Sequence, residues 1–260
     1  SSFTIDTTPP TLVETTGVDN FTNDNVTQYT FSSSEGGTFT IGGGCSSSNS
    51  DNDTVVADNM TVSFAALADG TYSGCYITVT DSAGNSVTIY VNQFTIDTIA
   101  PTLAPVDNVT TPTNDNTSLS YTFSSTEAGN ITYGGSCSSD NTTAVGGPDN
   151  TPANNAITFN AMADGTYGPD NCTIAVTDNA SNTSDNLSVS SFRIDTTAPI
   201  LSLVTAVSTP TNDTTPEYSF SSTEAGTNSY GGSCGSSSTS ATSSGLDNVT
   251  IILTQPDNST

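Results

Sequence analysis

Apolar residues in this chain fall in short alternating runs, two apart, separated by clusters of Gly, Asn, Asp, Ser and Thr. A period of two predicts strands with one buried face, and it is not the pattern of a helical bundle. Thr27 to Ser32 turns Tyr29 and Phe31 inward, and Gly37 to Gly44 does the same with Phe39 and Ile41 before Cys45. Asn59 to Leu67 places Val62 and Phe64 on one face. After the turn at Asp69 to Tyr72, the run Cys75 to Thr80 puts Cys75, Ile77 and Val79 on the core side. Asp81 to Asn85 reads as a hairpin turn, and Val87, Ile89 and Val91 lead on to Phe94. Seven short strands in about ninety residues predict an all-β, Greek-key sandwich.

The pattern recurs because one phrase recurs: Phe3 to Leu12 (FTIDTTPPTL), Phe94 to Leu103 (FTIDTIAPTL) and Phe192 to Leu201 (FRIDTTAPIL). Each copy is expected to begin as a strand and to stop at proline, which gives no amide hydrogen to a sheet and keeps the preceding residue extended. From Ile5 to Ile96 is 91 residues and from Ile96 to Ile194 is 98, the length of one small β domain. The expected organisation is a last strand of a preceding repeat at 1–8, Ig-like domains at 9–98 and 99–196, and an incomplete third at 197–260. The second repeat carries Tyr121 and Phe123 where the first has Tyr29 and Phe31, and the third carries Tyr218 and Phe220. A repeated joint points to mechanical or adhesive work before catalysis.

Hydrophobic residues are 32% of the chain, enough for thin sandwich cores, and no apolar run is long enough to span a membrane. The net charge of -25 reflects missing base: Arg193 is the only basic side chain, with no Lys or His. Nucleic acid and anionic membrane surfaces, which select for Lys and Arg, are therefore excluded as partners. Two readings of the charge stand together, a neutral Ser/Thr/Asn surface and a chain that binds cations.

The five cysteines follow the repeat. Cys45 pairs with Cys75 and Cys137 with Cys172, while Cys234 is expected to find its partner beyond Thr260, in a longer natural chain. Zinc ligation is short of ligands without His. Disulfides imply an oxidising, extracellular or cell-surface setting.

Catalysis finds little support, since neither His nor Lys is present to act as base or nucleophile. Glu35, Glu127 and Glu224 each stand ten residues before a first cysteine, and a residue copied into every repeat reads as structural, holding a turn. Lysine isopeptide links are excluded; a Thr-Gln ester through Gln28 or Gln93 is the remaining cross-link chemistry. Asn-x-Ser/Thr sequons, candidate glycan sites, occur at Asn20, Asn25, Asn52, Asn59, Asn108, Asn116, Asn130, Asn141, Asn171, Asn179, Asn182, Asn186, Asn212, Asn248 and Asn258. Composition alone is the competing explanation. Asn171, beside Cys172 on an expected strand, is the poorest acceptor.

The phrases Ala68 to Tyr72 (ADGTY), Val79 to Asn85 (VTDSAGN) and Phe94 to Thr98 (FTIDT), closing on Ala100-Pro101-Thr102, resemble the tandem bacterial Ig-like repeats of large secreted adhesins and surface fibre proteins. The resemblance covers essentially the whole chain and implies Ig-like sandwiches, a rod-like stalk and calcium at the joints. The matching calcium ligands are Asp69, Asp81, Asp97, Asp164, Asp178 and Asp195, with Asx turns as the alternative role for the same aspartates. Two departures stand out: the cysteine pair in each repeat, and the second hairpin, Asn179-Ala180-Ser181-Asn182, which lacks glycine.

These features together point to a non-enzymatic segment of a long extracellular stalk or fibre. The alternatives are a ligand-binding adhesin module and a subunit of a polymerising filament. Its expected partners are neighbouring repeats of the same chain, further copies associating laterally or end to end, and covalent glycans. Tyr76 and Tyr90 are outward by strand parity and read as single exposed aromatics.

Overall fold

The computed structural model describes residues 3–48, 54–55, 57–232, 234–237, 240–241 and 248–253. The chain divides into two compact units, Ser1–Ile194 and Asp195–Thr260. Among the described residues the structure is strand and loop, with one 3-10 turn at Pro148–Asn150.

The first unit holds two β-sandwiches, each with its own core. In the first, Leu12–Thr16, Gln28–Ser33 and Asn59–Ser63 form one antiparallel sheet. The facing sheet runs Thr54–Val55, Gly37–Gly42, Tyr76–Asp81, Ser86–Tyr90. Alternation sets what lies between them: Tyr29, Phe31, Phe39, Val62, Phe64, Ile77 and Val79 are all buried. The second sandwich repeats this with Leu103–Asp107, Leu119–Ser125 and Ala153–Phe159 against Thr143–Ala144, Gly129–Gly135, Cys172–Thr177 and Leu187–Ser188. Its core holds Tyr121, Phe123, Ile157, Phe159, Ile174 and Val176. In the second unit, Leu201–Thr205, Glu217–Ser222 and Asn248–Ile252 make the corresponding three-stranded sheet.

The recurrent phrase closes each sandwich. Phe94–Ile96 pairs antiparallel with Gly70–Tyr72 and parallel with Phe21–Thr22. Phe94 stacks on Phe64 and on Tyr72, with centroids 6.2 and 5.3 Å apart, and Phe192 meets Phe159 and Tyr167 at 6.4 and 5.4 Å. The tyrosine hydroxyls donate back four residues, Tyr72 to the Ala68 carbonyl at 2.8 Å and Tyr167 to that of Ala163 at 3.0 Å. A half-buried ring with a satisfied polar tip is what the Asp-Gly-Thr-Tyr turn supplies.

Disulfides join Cys45 to Cys75 and Cys137 to Cys172, with Cα atoms 5.4 and 5.1 Å apart. Each ties the end of one strand to the start of its neighbour in the same sheet: Cys45 follows Gly37–Gly42 and Cys75 precedes Tyr76–Asp81, while Cys137 follows Gly129–Gly135 and Cys172 begins the strand paired with it. Cys234 is a free, exposed thiol.

Several sequence expectations change in the structure. Phe3 to Ile5 is not in a strand; Phe3 is 85% exposed, whereas its counterparts Phe94 and Phe192 are each 1% exposed. Tyr76 and Tyr90 are not isolated, because they oppose each other across Tyr76–Asp81 and Ser86–Tyr90 and their rings meet edge to face at 6.0 Å. Asn171 lies exposed in the turn before Cys172–Thr177 and not within the strand; its side-chain carbonyl accepts the Gly168 amide at 2.9 Å.

Candidate metal centre

The two sandwiches of the first unit meet at the second copy of the phrase, where proline ends the strand and the chain passes directly into the next repeat. Thr102 is pinned at once to the turn of the second repeat: its amide donates to Thr126 Oγ1 at 2.9 Å and its carbonyl accepts the Thr126 amide at 3.1 Å. Thr11 and Ser34 exchange the same pair of bonds at the start of the first repeat. This fixes the residue that follows, Glu127 or Glu35, against the joint. A serine two residues earlier holds the turn, since Ser33, Ser125 and Ser222 donate to the carbonyls of Glu35, Glu127 and Glu224 at 2.7, 2.7 and 2.6 Å. The turn is therefore held by serine hydroxyl and backbone, which leaves the glutamate side chain for another task.

The second contribution is the hairpin after Tyr76–Asp81 or Cys172–Thr177. Asp178 Oδ1 accepts the amides of Ala180 and Asn182 at 2.8 and 2.9 Å, and Oδ2 accepts Asn182 Nδ2 at 2.8 Å. Asp81 does the same with Ala83 and Asn85. The Asn85 side chain and these backbone amides hold the Asp81 carboxyl below the usual aspartate range, against a smaller opposing effect of burial. The asparagine then reaches across the joint, Asn182 Nδ2 to the Asp97 carbonyl at 2.8 Å and Asn85 Nδ2 to the Asp6 carbonyl at 3.2 Å. Where the first hairpin uses Gly84 at φ 94°, the second has Ser181 at φ 75°, so the missing glycine leaves the turn geometry unchanged.

The third contribution is the joint aspartate. Asp97 accepts the Ile99 amide at 3.2 Å in an Asx turn, and its own amide donates to the Thr22 carbonyl at 3.0 Å. Asp97, Glu127 and Asp178 each bring a carboxylate oxygen within 4.8 Å of the others, and Asp6, Glu35 and Asp81 form the same cluster one repeat earlier. Both Glu127 oxygens are buried and neither has a hydrogen-bond partner. Burial, and then the charges of Asp97 and Asp178, close contact with the Asp178 carboxyl and the charge of Asp69, raise the Glu127 carboxyl to about 7. A cavity of about 260 Å³ opens beside the cluster; Phe21, Thr95, Gly146, Gly147 and Asn150 are among its walls and none of its lining residues is basic.

Of the six aspartates that the resemblance implies, Asp97 and Asp178 come together in one cluster and Asp81 enters the other. Asp69 sits one step out, its carboxylate taking the Thr98 hydroxyl at 2.9 Å and the Thr98 amide at 3.2 Å. Asp164 and Asp195 are in neither cluster among the described residues. The residues that the aspartate motifs miss are Glu35, Glu127 and Asp6. The glutamates are signalled by one fixed position in every repeat, which from sequence reads as holding the turn, and Asp6 by its place in the recurrent phrase.

The residues fit a hard cation. A carboxylate has about four lone-pair positions, so Asp178, with three bonds accepted, retains capacity, and Glu127 retains all of its own. An all-oxygen set of this kind suits calcium better than a transition metal.

No protein-family model matches the chain, and no curated protein matches it. Among solved structures it is similar to the fibronectin(III)-like modules of Clostridium thermocellum CbhA, at 11% identity and a TM-score of 0.36, over 71% of this chain and 94% of that one. It is also similar to Salmonella alpha-2-macroglobulin reacted with methylamine, at 14% identity and a TM-score of 0.21, over 98% of this chain and 21% of that one. The chain is an all-β array of Ig-like β-sandwiches. Its two disulfides are the chemistry of an oxidising compartment, and no helix among the described residues is long and apolar enough to cross a membrane.

Proposed function

We propose that this chain is a non-enzymatic spacer, a segment of an extracellular stalk or fibre whose repeats are stiffened at their joints by calcium. The observation that carries the reading is the Asp97, Glu127 and Asp178 cluster, in which a buried carboxylate without a partner faces two further carboxylates at the seam between two repeats. Asp97 comes from one repeat and Glu127 and Asp178 from the next, so whatever occupies the cluster ties the two together. Calcium bound there neutralises charge that no lining side chain of the cavity can neutralise. The short proline joint and the asparagine latch limit bending, and each disulfide supports its own sandwich. The work is to extend and hold.

Calorimetric titration of the chelator-treated chain with calcium tests this directly. Saturable binding accompanied by a rise in melting temperature is expected, and the Asp97→Asn/Asp178→Asn double variant should lose the component of both that belongs to the Asp97, Glu127 and Asp178 cluster. A chain that binds no calcium at millimolar concentration, with a melting temperature indifferent to chelator, refutes the cation-stiffened reading.

A further inference from the structure

We propose that the chain carries N-linked glycans, attached at the exposed sequons Asn20, Asn25, Asn108, Asn130, Asn186 and Asn212. Two independent observations carry this. The first is numerical. The sequence has 25 asparagines, 15 of them in sequons. With Ser and Thr making up about a third of the residues, chance placement gives roughly eight. Composition therefore accounts for only about half of them.

The second observation is where the asparagine nitrogens go. A glycan is joined through Nδ2, so an acceptor must have that nitrogen free and in solvent. Among the described residues four asparagines donate hydrogen bonds through Nδ2: Asn85, Asn155, Asn160 and Asn182. Three of these four lie outside sequons. Of these, Asn155 is buried, and the Nδ2 of Asn228, buried without a partner, likewise lies outside a sequon. Structural duty for the nitrogen thus falls on asparagines that cannot be modified, with Asn182 at the joint latch as the exception. The six named asparagines are exposed and make no side-chain hydrogen bond among the described residues, whereas the Oδ1 atoms of the exposed Asn59, Asn141 and Asn171 accept hydrogen bonds and Asn179 lines the joint cavity.

Their backbones are nonetheless fixed. The Asn20 carbonyl accepts the Thr95 amide at 2.9 Å and the Asn25 carbonyl accepts the Leu67 amide at 2.9 Å, so these side chains project from anchored turns. Asn130 lies in Gly129–Gly135, with its neighbour Ile131 buried in the core. By alternation it points outward. Asn20 and Asn108 hold the same place in successive repeats, within Val-Asp-Asn-x-Thr. Asn52 and Asn258 lie outside the described residues.

The chemistry is a group transfer. Nδ2 attacks the anomeric carbon of a polyprenyl-phosphate-linked oligosaccharide, the N–C bond forms as the C–O bond to phosphate breaks, and Nδ2 gives up one proton. The lipid phosphate leaves with the bonding pair. Such a coat supplies hydration to a surface that has one basic side chain in 260 residues.

The inference rests on the extracellular reading, and one experiment separates the two. The chain purified from its own cells is digested without reduction, using chymotrypsin and a glutamyl endoprotease, and its peptides are read by mass spectrometry with electron-transfer fragmentation. Saccharide mass on the peptides of the six asparagines, with Asn182 bare, is the expected result. All six at unmodified mass would overturn the proposal, and occupancy at Asn182 equal to the rest would overturn the assignment of sites by free Nδ2. The Cys45–Cys75 and Cys137–Cys172 peptides appear in the same digest as linked pairs, so a failure of the extracellular reading is seen separately, as free thiols.

Discussion

Replacing Glu127 by Gln should stabilise the chain when no cation is present. In the folded protein this carboxyl is raised from 4.5 to about 7, by burial first and then by Asp97, Asp178 and Asp69. Between those values the unfolded chain has released the proton and the folded chain still holds it. The native state therefore binds more protons, and its stability falls as pH rises from about 4.5 to about 7. At ~1.4 kcal/mol per pH unit that interval sets a ceiling of roughly 3 kcal/mol. The site opens on one side to solvent, and screening there reduces the working figure to about 1–2 kcal/mol. Glutamine keeps the shape and removes the charge. In chelator at pH 8, urea unfolding followed by circular dichroism should show Glu127→Gln more stable by that amount, with the difference nearly gone at pH 5. In millimolar calcium at pH 8 the order should reverse, because the wild-type carboxylate gains a cation and the amide gains little. A variant less stable than wild type in chelator at pH 8 would show that the carboxylate is already satisfied by the protein, and the metal reading would fall with that result.

Removing the second bridge with Cys137→Ser/Cys172→Ser should cost about 3–4 kcal/mol on the chain-entropy estimate, read as a lower urea midpoint for the first unit. Ser181→Gly should raise the melting temperature, since Ser181 sits at φ 75°, where a side chain costs roughly 1 kcal/mol. Asp81, held low by its hairpin, contributes stability that is present above the unfolded aspartate range and is lost as pH falls through the depressed folded value. Asp81→Asn should therefore flatten the acid limb of melting temperature against pH as the pH falls below the ordinary aspartate range.

Much of the fold was legible because a sandwich writes its core face at a period of two. Tyr29 and Phe31, Val62 and Phe64, and Ile77 and Val79 are buried where alternation placed them. The cysteine pairs followed from the repeat, since each sandwich had two cysteines to join. Pairing between distant short segments was not legible. Phe21–Thr22 runs parallel to Phe94–Ile96, and a two-residue strand has no alternation to read. Parity gives the face of Tyr76 and Tyr90 but not their register, and register is what puts the two rings in contact.

The site was half legible for a related reason. Asp81, Asp97 and Asp178 stand in turn motifs, where short polar side chains bond their own backbone and draw notice. Glu127 stands in no such motif, and a residue copied into every repeat reads from sequence as structural. Repetition and ligation are not alternatives in a tandem array. A seam between identical neighbours is itself repeated, so any residue that serves the seam must be copied as faithfully as one that serves the core. What separates the two cases is satisfaction. The serine hydroxyls hold the turn at Ser33, Ser125 and Ser222, while both oxygens of Glu127 are buried without a partner. A buried carboxylate beside two others repels its surroundings unless a positive charge joins it. The chain has no Lys, no His and one Arg, and no residue lining this seam is basic, so the calcium we propose there is the charge that would neutralise it.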